Sequence, residues 1–286
     1  MAETYERSSL KFDEPEPVML DYSPEADMDA LAQFQYITTS ASRVEHALGD
    51  CEGCSCQHHC TPAQGATELR AACCCFTECI KGLHALKDHG RAAGLVRLLE
   101  CGPACSCNAS CPARPTQTGV THQLALFWDG LKGWCVKALQ PISQGSFVAE
   151  YAGEYVTGVE AERRLTIYDT EERGHALLVV RVQLPSGSSC LKVCIDATRR
   201  GNVARFINHS CDGGNLEPVI VTSRGSLLPR VALFAARDIT QGEELSFCYA
   251  VSNTATSSAT SEVAAAASRR HCFCGAANCP GFLPSA

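Results

Sequence analysis

The residues with the most evident chemistry in this sequence are its 20 cysteines, many of which are separated by only one or three residues. Zinc prefers four thiolates in a tetrahedron. Two cysteines that close cannot easily bridge each other, so the spacing favours metal over disulfides. The candidate ligands of the first block are Cys54, Cys56, Cys60, Cys73, Cys75, Cys101, Cys105, Cys107 and Cys111.

Nine thiolates complete three zinc tetrahedra if three of them bridge two ions each. The membership of the first half of the block stays open. Cys51 could replace one member, Cys74 could replace Cys73 or Cys75, and Cys79 is also near.

A smaller cluster closes the sequence, in the pattern Cys272-x-Cys274-x4-Cys279. Three thiolates leave a tetrahedral zinc one ligand short. Cys211 is the best distant candidate for the fourth ligand, and His271 is the alternative. If Cys211 supplies the bond, this zinc ties the end of the chain back onto the preceding domain.

Short strands must position these residues, because apolar and β-branched runs alternate with turn residues between 121 and 249. The predicted strands cover residues 147–151, 176–182, 190–195, 218–222 and 231–235. Only residues 158–173 have a convincing helical pattern. The sequence therefore predicts a mainly β domain built from several small sheets.

Composition sets the broader organisation of the 286 residues, which suffice for one catalytic domain with small accessory modules. Residues 1–45 are acidic and polar, which predicts a flexible tail, with a possible short docking element at 31–37. Residues 251–270 are rich in Ser, Thr and Ala and are predicted to be a linker.

Charge and hydropathy exclude several classes of protein. No apolar run reaches the length of a membrane helix, and no secretory signal opens the sequence, so an intracellular protein is expected. The net charge of −7 argues against strong direct binding to nucleic acid. It fits a cationic partner better, such as a lysine-rich peptide.

Three strings together resemble a SET domain: Arg205 to Cys211 (RFINHSC), Glu243 to Tyr249 (EELSFCY) and Lys132-Gly133-Trp134. The flanking cysteine clusters resemble the pre-SET and post-SET modules of suppressor-of-variegation type histone-lysine methyltransferases. Residues 177–216 are especially similar to the short plant members. The resemblance covers residues 51–286 and implies several small curved sheets with a pseudoknot.

The resemblance also implies a domain organisation. Residues 1–45 form the acidic flexible tail, 46–115 the pre-SET zinc cluster and 116–250 the catalytic SET domain. Residues 251–270 are the linker and 271–286 the post-SET zinc module. The zinc count implied is three ions in the pre-SET cluster and one shared by the SET domain and the post-SET module.

By the same resemblance, the protein transfers methyl groups from S-adenosylmethionine to a lysine. Tyr249 is the expected catalytic residue, with its hydroxyl beside the path of the methyl group. Phe247 lies at the position that restricts the product, and phenylalanine there leaves room for more than one methyl. The expected cofactor-binding residues are Lys132, Gly133, Trp134, Arg205, Asn208, His209 and Phe273, and Leu283 is expected to help Phe273 close the site.

Two departures from the family pattern bear on activity. Cys135 stands where the family usually has glycine, which adds a side chain near the cofactor entrance. Many members carry a tyrosine where this chain has Gly174-His175-Ala176. One active-site hydroxyl is then absent, or its role is taken by His175 or Tyr155.

The expected function is methylation of a histone tail, with histone H3 lysine 9 the implied target, in the nucleus and on chromatin. Chromatin-associated proteins are expected to target the enzyme. Two alternatives stay open: an enzyme that methylates non-histone proteins, and a catalytically weak SET-like scaffold that binds chromatin partners. Cys135 and Ala176 favour the scaffold, whereas Asn208, His209 and Tyr249 argue against it.

Overall fold

The computed structural model describes residues 7–10, 12–21, 23–41, 53–56, 60, 74–88, 96–171, 174–183, 190–250 and 270–284. Its strands are β1 (Arg7–Leu10), β2 (Val18–Asp21), β3 (Gln35–Tyr36), β4 (Arg97–Glu100), β5 (Leu124–Asp129), β6 (Gly133–Ala138), β7 (Phe147–Glu150), β8 (Glu154–Val156), β9 (Leu177–Gln183), β10 (Cys190–Asp196), β11 (Arg200–Gly201), β12 (Asn208–His209), β13 (Leu216–Ser223), β14 (Arg230–Ala235) and β15 (Ser246–Phe247). The helices are α1 (Met28–Ala32), α2 (Cys74–Asp88) and α3 (Gly158–Thr170), with a 3₁₀ turn at Val203–Phe206.

Small sheets make up the fold, as predicted. One four-stranded sheet has the order β1-β2-β5-β6 and another has the order β4-β13-β14-β7, while β8-β10-β9 forms a three-stranded sheet. Val219, Ile220 and Val221 in β13 are all buried, because this strand lies between β4 and β14 with both faces covered. The five strands predicted from apolar runs correspond to β7, β9, β10, β13 and β14.

The N-terminal segment, residues 12–41, differs from the predicted flexible tail. Val18 and Leu20 in β2 are buried in the main core, and β2 pairs in parallel with β5. The Glu14 carboxylate accepts hydrogen bonds from the Val120 amide and the Tyr36 hydroxyl, both at 2.8 Å. Strand β2 has only four residues within an acidic, proline-rich stretch, so the composition does not indicate it. It adds to the sheet that contains β5 and β6, and its apolar side chains pack in the core. The short docking element predicted at 31–37 is present as the end of α1 and β3.

Helix α2 is a second difference, since a helical pattern was predicted only for residues 158–173. Cys75, Cys79 and Gly82 lie four and three residues apart and are all buried, which places them on one helix face. That face packs on β4, where a Cβ at Gly82 would come within 2.9 Å of a Leu98 methyl. The buried face of α2 consists of two thiols and a glycine. Because the cysteines were interpreted as metal ligands, their helical spacing was not counted as an apolar pattern.

A threaded segment brings the ends of the SET region together. Strand β12 pairs in parallel with β15, aligning Asn208 with Ser246 and His209 with Phe247. On the other side, the Asn215 amide donates to the Ser246 carbonyl at 3.0 Å, and the Asn215 side chain accepts from the Ser246 amide. The chain at 246–247 therefore lies inside the loop formed by residues 208–215, which is the pseudoknot that the resemblance implied.

Helix α3 confirms the single predicted helix and ends three residues earlier than the predicted boundary. Thr157 caps it, since its hydroxyl accepts from the Glu160 amide at 3.2 Å. Residues 251–269 of the predicted linker lie outside the described residues. Within the described part of the chain, no helix is long and apolar enough to cross a membrane.

Candidate active site and zinc clusters

The first cysteine cluster gathers thiols from three separate stretches of chain. Two overlapping sets of four sulfur atoms lie within 4.8 Å of one another: Cys54, Cys75, Cys101 and Cys105, and Cys54, Cys60, Cys101 and Cys107. Helix α2 supplies Cys75, and the turns that follow β4 supply the members from Cys101 onward. Because Cys54 and Cys101 belong to both sets, the arrangement has the shared ligands that a multi-zinc cluster needs.

The sulfur separations fit zinc. A tetrahedron with Zn–S bonds of about 2.3 Å has sulfur–sulfur edges of about 3.8 Å. The sulfur of Cys60 lies 3.5 Å from that of Cys54 and 3.4 Å from that of Cys101, while Cys75 and Cys105 are 4.0 Å apart. These separations are well above the length of a disulfide bond, about 2.05 Å. Burial and neighbouring thiols raise the pKa of Cys101, so this thiol stays protonated at physiological pH unless a metal binds it.

The other three of the nine predicted ligands are Cys56, Cys73 and Cys111, and the structure supports them to different degrees. The Cys111 sulfur accepts a hydrogen bond from the Cys60 amide at 3.3 Å, at the edge of the second set. Cys56 is half-buried and packs against the same cluster. Cys73 and its alternative Cys51 lie outside the described residues, as does the side chain of Cys74.

Cys79 is close to the first cluster but is not in either of the two four-sulfur sets. Its side chain is fully buried on α2, and burial raises the pKa of its thiol to about 12. Because its sulfur lies outside both sets, Cys79 occupies a buried position on α2 beside the cluster.

The terminal cluster consists of Cys211, Cys272, Cys274 and Cys279, whose sulfur atoms all lie within 4.8 Å of one another. The sulfurs of Cys211 and Cys272 are 3.8 Å apart, which is the edge expected for a zinc tetrahedron. His271 is placed elsewhere, with its ring stacked on Phe282. The four thiols predicted from spacing are thus brought together, and they join residues 270–284, the C-terminal segment, to the threaded region.

A cavity of about 190 Å³ lies between the threaded region, β9 and the C-terminal segment. Its apolar and aromatic lining includes Tyr151, Phe247 and Tyr249. Phe247 is fully buried, and its ring centre lies 5.0 Å from that of Tyr249 and 6.2 Å from that of Tyr151. The cavity is therefore a narrow aromatic pocket that the sequence-predicted Phe247 and Tyr249 enter together.

Tyr249 is fixed by two hydrogen bonds. Its hydroxyl donates to the Ile207 carbonyl at 2.9 Å, and its amide donates to Nδ1 of His209 at 3.1 Å. Burial raises the pKa of Tyr249, while the charge of Arg270 acts in the opposite direction. The phenol is therefore neutral at physiological pH and can act as a hydrogen-bonding group.

His209 links this tyrosine to the terminal cluster. Since its Nδ1 accepts from the Tyr249 amide, Nε2 carries the hydrogen and faces the Cys211 sulfur at 3.1 Å. Burial lowers the pKa of His209, which keeps the imidazole neutral for this arrangement. Cys211 of the terminal cluster is thus linked to Tyr249 through a single intervening residue, His209.

Lys132 lies in the turn between β5 and β6, and Gly133 and Trp134 are the first two residues of β6. Asp129 accepts from the Lys132 amide at 2.9 Å, and the Lys132 ammonium pairs with Glu244. Gly133 has a φ of +79°, a conformation that favours glycine. Trp134 is buried, and its ring nitrogen donates to the Asp27 carbonyl at 2.9 Å.

Asn208 is held against this loop by its side-chain amide. Its Nδ2 lies 3.2 Å from the Trp134 carbonyl and 3.1 Å from the Cys135 sulfur. Cys135 is buried, and burial followed by the charge of Glu244 raises its pKa to about 12. The thiol at the usual glycine position is therefore uncharged and is accommodated beside Asn208.

Arg205 lines the pocket from the 3₁₀ turn. Its guanidinium lies over the rings of Phe34 and Phe206, at 4.8 and 4.6 Å from their centres. The Nε atom is buried and has no hydrogen-bond partner among the described residues. Burial lowers the pKa of Arg205. This orphaned donor fits an anionic group, such as a carboxylate, bound in the pocket.

The two candidates for the missing hydroxyl have different positions. His175 lines the pocket and its Nε2 lies 3.0 Å from the Arg270 guanidinium. The Tyr155 hydroxyl donates to the Pro229 carbonyl, and the residue is not among those lining the pocket. Tyr151, which sequence reasoning missed, places a phenol in the pocket and donates to the Ala176 carbonyl at 2.9 Å. Its place directly after β7, before Ala152-Gly153-Glu154, was the only available clue.

The C-terminal segment supplies one wall of the pocket through Arg270, Leu283 and Pro284. The Leu283 amide donates to the Arg270 carbonyl, which closes the segment on itself. Phe273 is 48% exposed and does not line the cavity. Leu283 thus lies in the wall of the pocket, whereas Phe273 lies outside the residues that line it and is partly open to solvent.

The model for the SET domain family matches residues 133–250. Histone-lysine N-methyltransferase SUVR3 of Arabidopsis thaliana is 51% identical over 189 residues, which cover 65% of this chain and 51% of that protein. A probable histone-lysine N-methyltransferase of Caenorhabditis briggsae, set-23, is 32% identical, covering 82% of this chain and 87% of its own length.

Among solved structures, KRYPTONITE in complex with mCHH DNA, an H3(1-15) peptide and SAH matches with a TM-score of 0.64 and 25% identity. The match covers 95% of this chain and 52% of that one. The chain spans about half the length of several curated relatives that it matches. The chain belongs to the SET-domain family of histone-lysine N-methyltransferases, of the suppressor-of-variegation type.

Proposed function

We propose that the chain is a protein-lysine N-methyltransferase that uses S-adenosylmethionine and acts on a histone tail. The observation that carries this proposal is the aromatic pocket, where the Tyr249 phenol and Phe247 meet beside the Asn208–His209 strand. Relatives with the same SET domain are named histone-lysine N-methyltransferases, and one similar structure was solved with SAH and an H3 peptide.

The pocket suits a lysine that must react as a neutral amine. A lysine of ordinary pKa, about 10.4, costs roughly 4 to 5 kcal/mol to neutralise at pH 7. The described lining contains three arginines, Arg181, Arg205 and Arg270, and no carboxylate. Both the apolar walls and the positive charges disfavour an ammonium ion, so they lower the pKa of an entering lysine.

Tyr249 is the catalytic residue in this proposal. Its hydroxyl, held toward the Ile207 carbonyl, presents a polar group to the amine and orients its lone pair. Tyr151 supports the opposite wall with a second phenol. Because Tyr249 stays neutral, it does not act as a strong base, and water carries the amine proton away.

Asn208, His209, Arg205 and the loop at Lys132 to Trp134 would hold the cofactor. When bound, S-adenosylmethionine supplies an electrophilic methyl group on a positively charged sulfur. The free Nε of Arg205 would receive the carboxylate end. The Gly133 backbone permits close approach, while Leu283 and the exposed ring of Phe273 would cover the adenine.

The terminal zinc in this proposal is bound by Cys211, Cys272, Cys274 and Cys279, and its role is to hold the C-terminal segment over the pocket. The pre-SET zinc ions are bound by the nine predicted cysteines. The domain boundaries proposed are 46–115, 116–250 and 271–286. Residues 12–41 join the SET core rather than form a separate tail.

Histone H3 lysine 9 is the proposed target, and more than one methyl group is added because Phe247 offers no hydroxyl to hold a water. The net charge of −7 favours a basic tail as partner. Nuclear, chromatin-associated localisation follows from this substrate, with targeting by chromatin proteins.

The test is transfer of labelled methyl from S-adenosylmethionine to recombinant core histones. The variant is Tyr249→Phe, and the matched control is Tyr155→Phe, since both phenols donate to backbone carbonyls but only Tyr249 lines the pocket. We expect Tyr249→Phe to lose at least about 100-fold in kcat and the control to stay near wild type.

Three other outcomes would overturn parts of this proposal. Transfer only to non-histone proteins would move the substrate elsewhere. A zinc-loaded wild-type protein that binds no S-adenosylhomocysteine would instead be a scaffold. Full activity of Tyr249→Phe would remove the catalytic role of this phenol.

A further inference from the structure

The N-terminal segment reaches two residues of the proposed cofactor site. Phe34 lies under the Arg205 guanidinium and packs edge-on against Phe206, with ring centres 5.5 Å apart. Earlier in the same segment, the Asp27 carbonyl accepts a hydrogen bond from the Trp134 ring N–H. These two contacts come from different parts of one segment and converge on residues that are far apart in sequence.

Arg205 depends on these rings for its position. Among the described residues, its buried Nε has no hydrogen-bond partner, so the two cation–π contacts are what the structure shows around this guanidinium. A long side chain with this much freedom loses considerable entropy when it is fixed. A cation close to two aromatic rings is attracted to both, and the attraction strengthens when water is excluded.

We propose that Phe34 is a positioning residue of the active site, which aims Arg205 at the anionic end of the cofactor. This inference rests on the proposed function. Phe206 alone gives the guanidinium one aromatic contact, and Phe34 adds a second one from the N-terminal segment. The N-terminal segment is therefore part of the cofactor site, although none of its residues lines the aromatic pocket.

The same segment offers a matched control. Phe12 stacks face to face on Tyr36, with ring centres 3.7 Å apart, and Tyr36 meets Phe34 edge-on at 6.3 Å, so Phe12 is two rings removed from the Arg205 contact. Phe34 and Phe12 are both half-buried and both pack against the main core. Replacing either with leucine removes one aromatic ring from the segment while keeping an apolar side chain.

The experiment measures S-adenosylhomocysteine binding by calorimetry for zinc-loaded full-length wild type, Phe34→Leu, Phe34→Tyr and Phe12→Leu, each with its thermal midpoint. We expect Phe34→Leu to weaken binding by about 3- to 30-fold, the range of one cation–π contact. Phe34→Tyr should restore binding because it keeps the ring. Phe12→Leu should lower the thermal midpoint without changing affinity.

A double-mutant cycle provides the second readout. In an Arg205→Met background, Phe34→Leu should produce no further loss of affinity, because the residue acts through Arg205. Unchanged binding in Phe34→Leu, or equal losses in Phe34→Leu and Phe12→Leu, would overturn the inference. A wild-type chain that binds no S-adenosylhomocysteine would overturn the proposed function itself, so the two failures are distinguishable.

Discussion

Tyr249 is held at both its backbone and its hydroxyl, and this explains why a common strand-end residue can have a precise chemical position. His209 accepts from its amide and Ile207 accepts from its phenol. The histidine is in turn next to Cys211, a member of the terminal cluster. His209 therefore connects the terminal cluster to Tyr249 through one contact on each ring nitrogen.

Phe247 offers the sharpest residue-scale prediction. Phe247→Tyr adds a hydroxyl to a fully buried ring 6.2 Å from the Tyr151 ring, where it can hold a water in the space of added methyl groups. We expect the products on a histone H3 peptide to shift from higher methylation states to monomethyl-lysine. Mass spectrometry of the peptide at long reaction times measures this shift.

The control for this change is the rate of the first methyl transfer, which should stay within about threefold of wild type if the pocket is otherwise intact. Dimethyl product at wild-type levels from Phe247→Tyr would show that this ring does not limit the product. Loss of all transfer would instead show that the pocket cannot accept the hydroxyl.

At the scale of elements, the C-terminal segment is joined to the SET core by its cysteines and by the Arg270–His175 contact. His175 must be neutral to accept from Arg270. Burial, followed by the Arg270 charge, lowers its pKa to about 4 in the docked state, against an ordinary value near 6.5. Between about pH 4 and pH 6.5, His175 is therefore protonated more often when the C-terminal segment is undocked than when it is docked.

Docking of the C-terminal segment should therefore depend on pH. It is complete above about pH 6.5 and is lost as the pH falls toward 4, because the undocked state takes up the extra proton. Between about pH 7.5 and pH 5.5, we expect wild type to lose up to about tenfold more affinity for S-adenosylhomocysteine than His175→Gln. Glutamine keeps an acceptor for Arg270 but does not titrate. Equal pH dependence of the two proteins would rule out His175 as the sensitive group.

The elements also show which parts of the fold could be predicted from the sequence. Cysteine spacing was enough to predict the terminal cluster, because C-x-C-x4-C leaves one ligand to find and Cys211 lies in a recognisable motif. Apolar runs predicted β7, β9, β10, β13 and β14 because buried strands need them. In these cases one local pattern determined the structure.

Other elements could not be predicted because their burial is decided by distant partners. Strand β2 has four residues in an acidic stretch, and only pairing with β5 makes Val18 a core residue. Helix α2 buries thiols, which the sequence presents as ligands. The Tyr151 hydroxyl is held in the pocket by a hydrogen bond to the Ala176 carbonyl. These two residues are 25 positions apart, so no local sequence pattern predicts the contact.

For the whole molecule, the two cysteine clusters predict two separable effects of metal. The first cluster contributes buried residues to the core that includes β13 and β14. Structural zinc contributes on the order of 10 kcal/mol in small domains, so removal should be strongly destabilising. We expect a strong chelator to lower the thermal midpoint of unfolding by more than about 10 °C.

Cys211→Ser isolates the terminal cluster. This variant should lose about one zinc ion per chain by elemental analysis and bind S-adenosylhomocysteine weakly, with a small change in thermal midpoint. Cys194→Ala is the control, since Cys194 is buried but belongs to none of the four-sulfur sets. Full zinc content in Cys211→Ser, or an unchanged midpoint of wild type in chelator, would contradict these assignments.

The enclosure of residues 246–247 within the loop at 208–215 has a consequence for the order in which the molecule can be assembled. Those residues come late in the chain, and they must pass the earlier loop before Tyr249 can reach Ile207. Such long-range contacts form slowly, after the local ones. During vectorial synthesis on the ribosome, the earlier sheets can form before residues 246–249 emerge, so the aromatic pocket is completed only afterwards, when the C-terminal segment adds its wall.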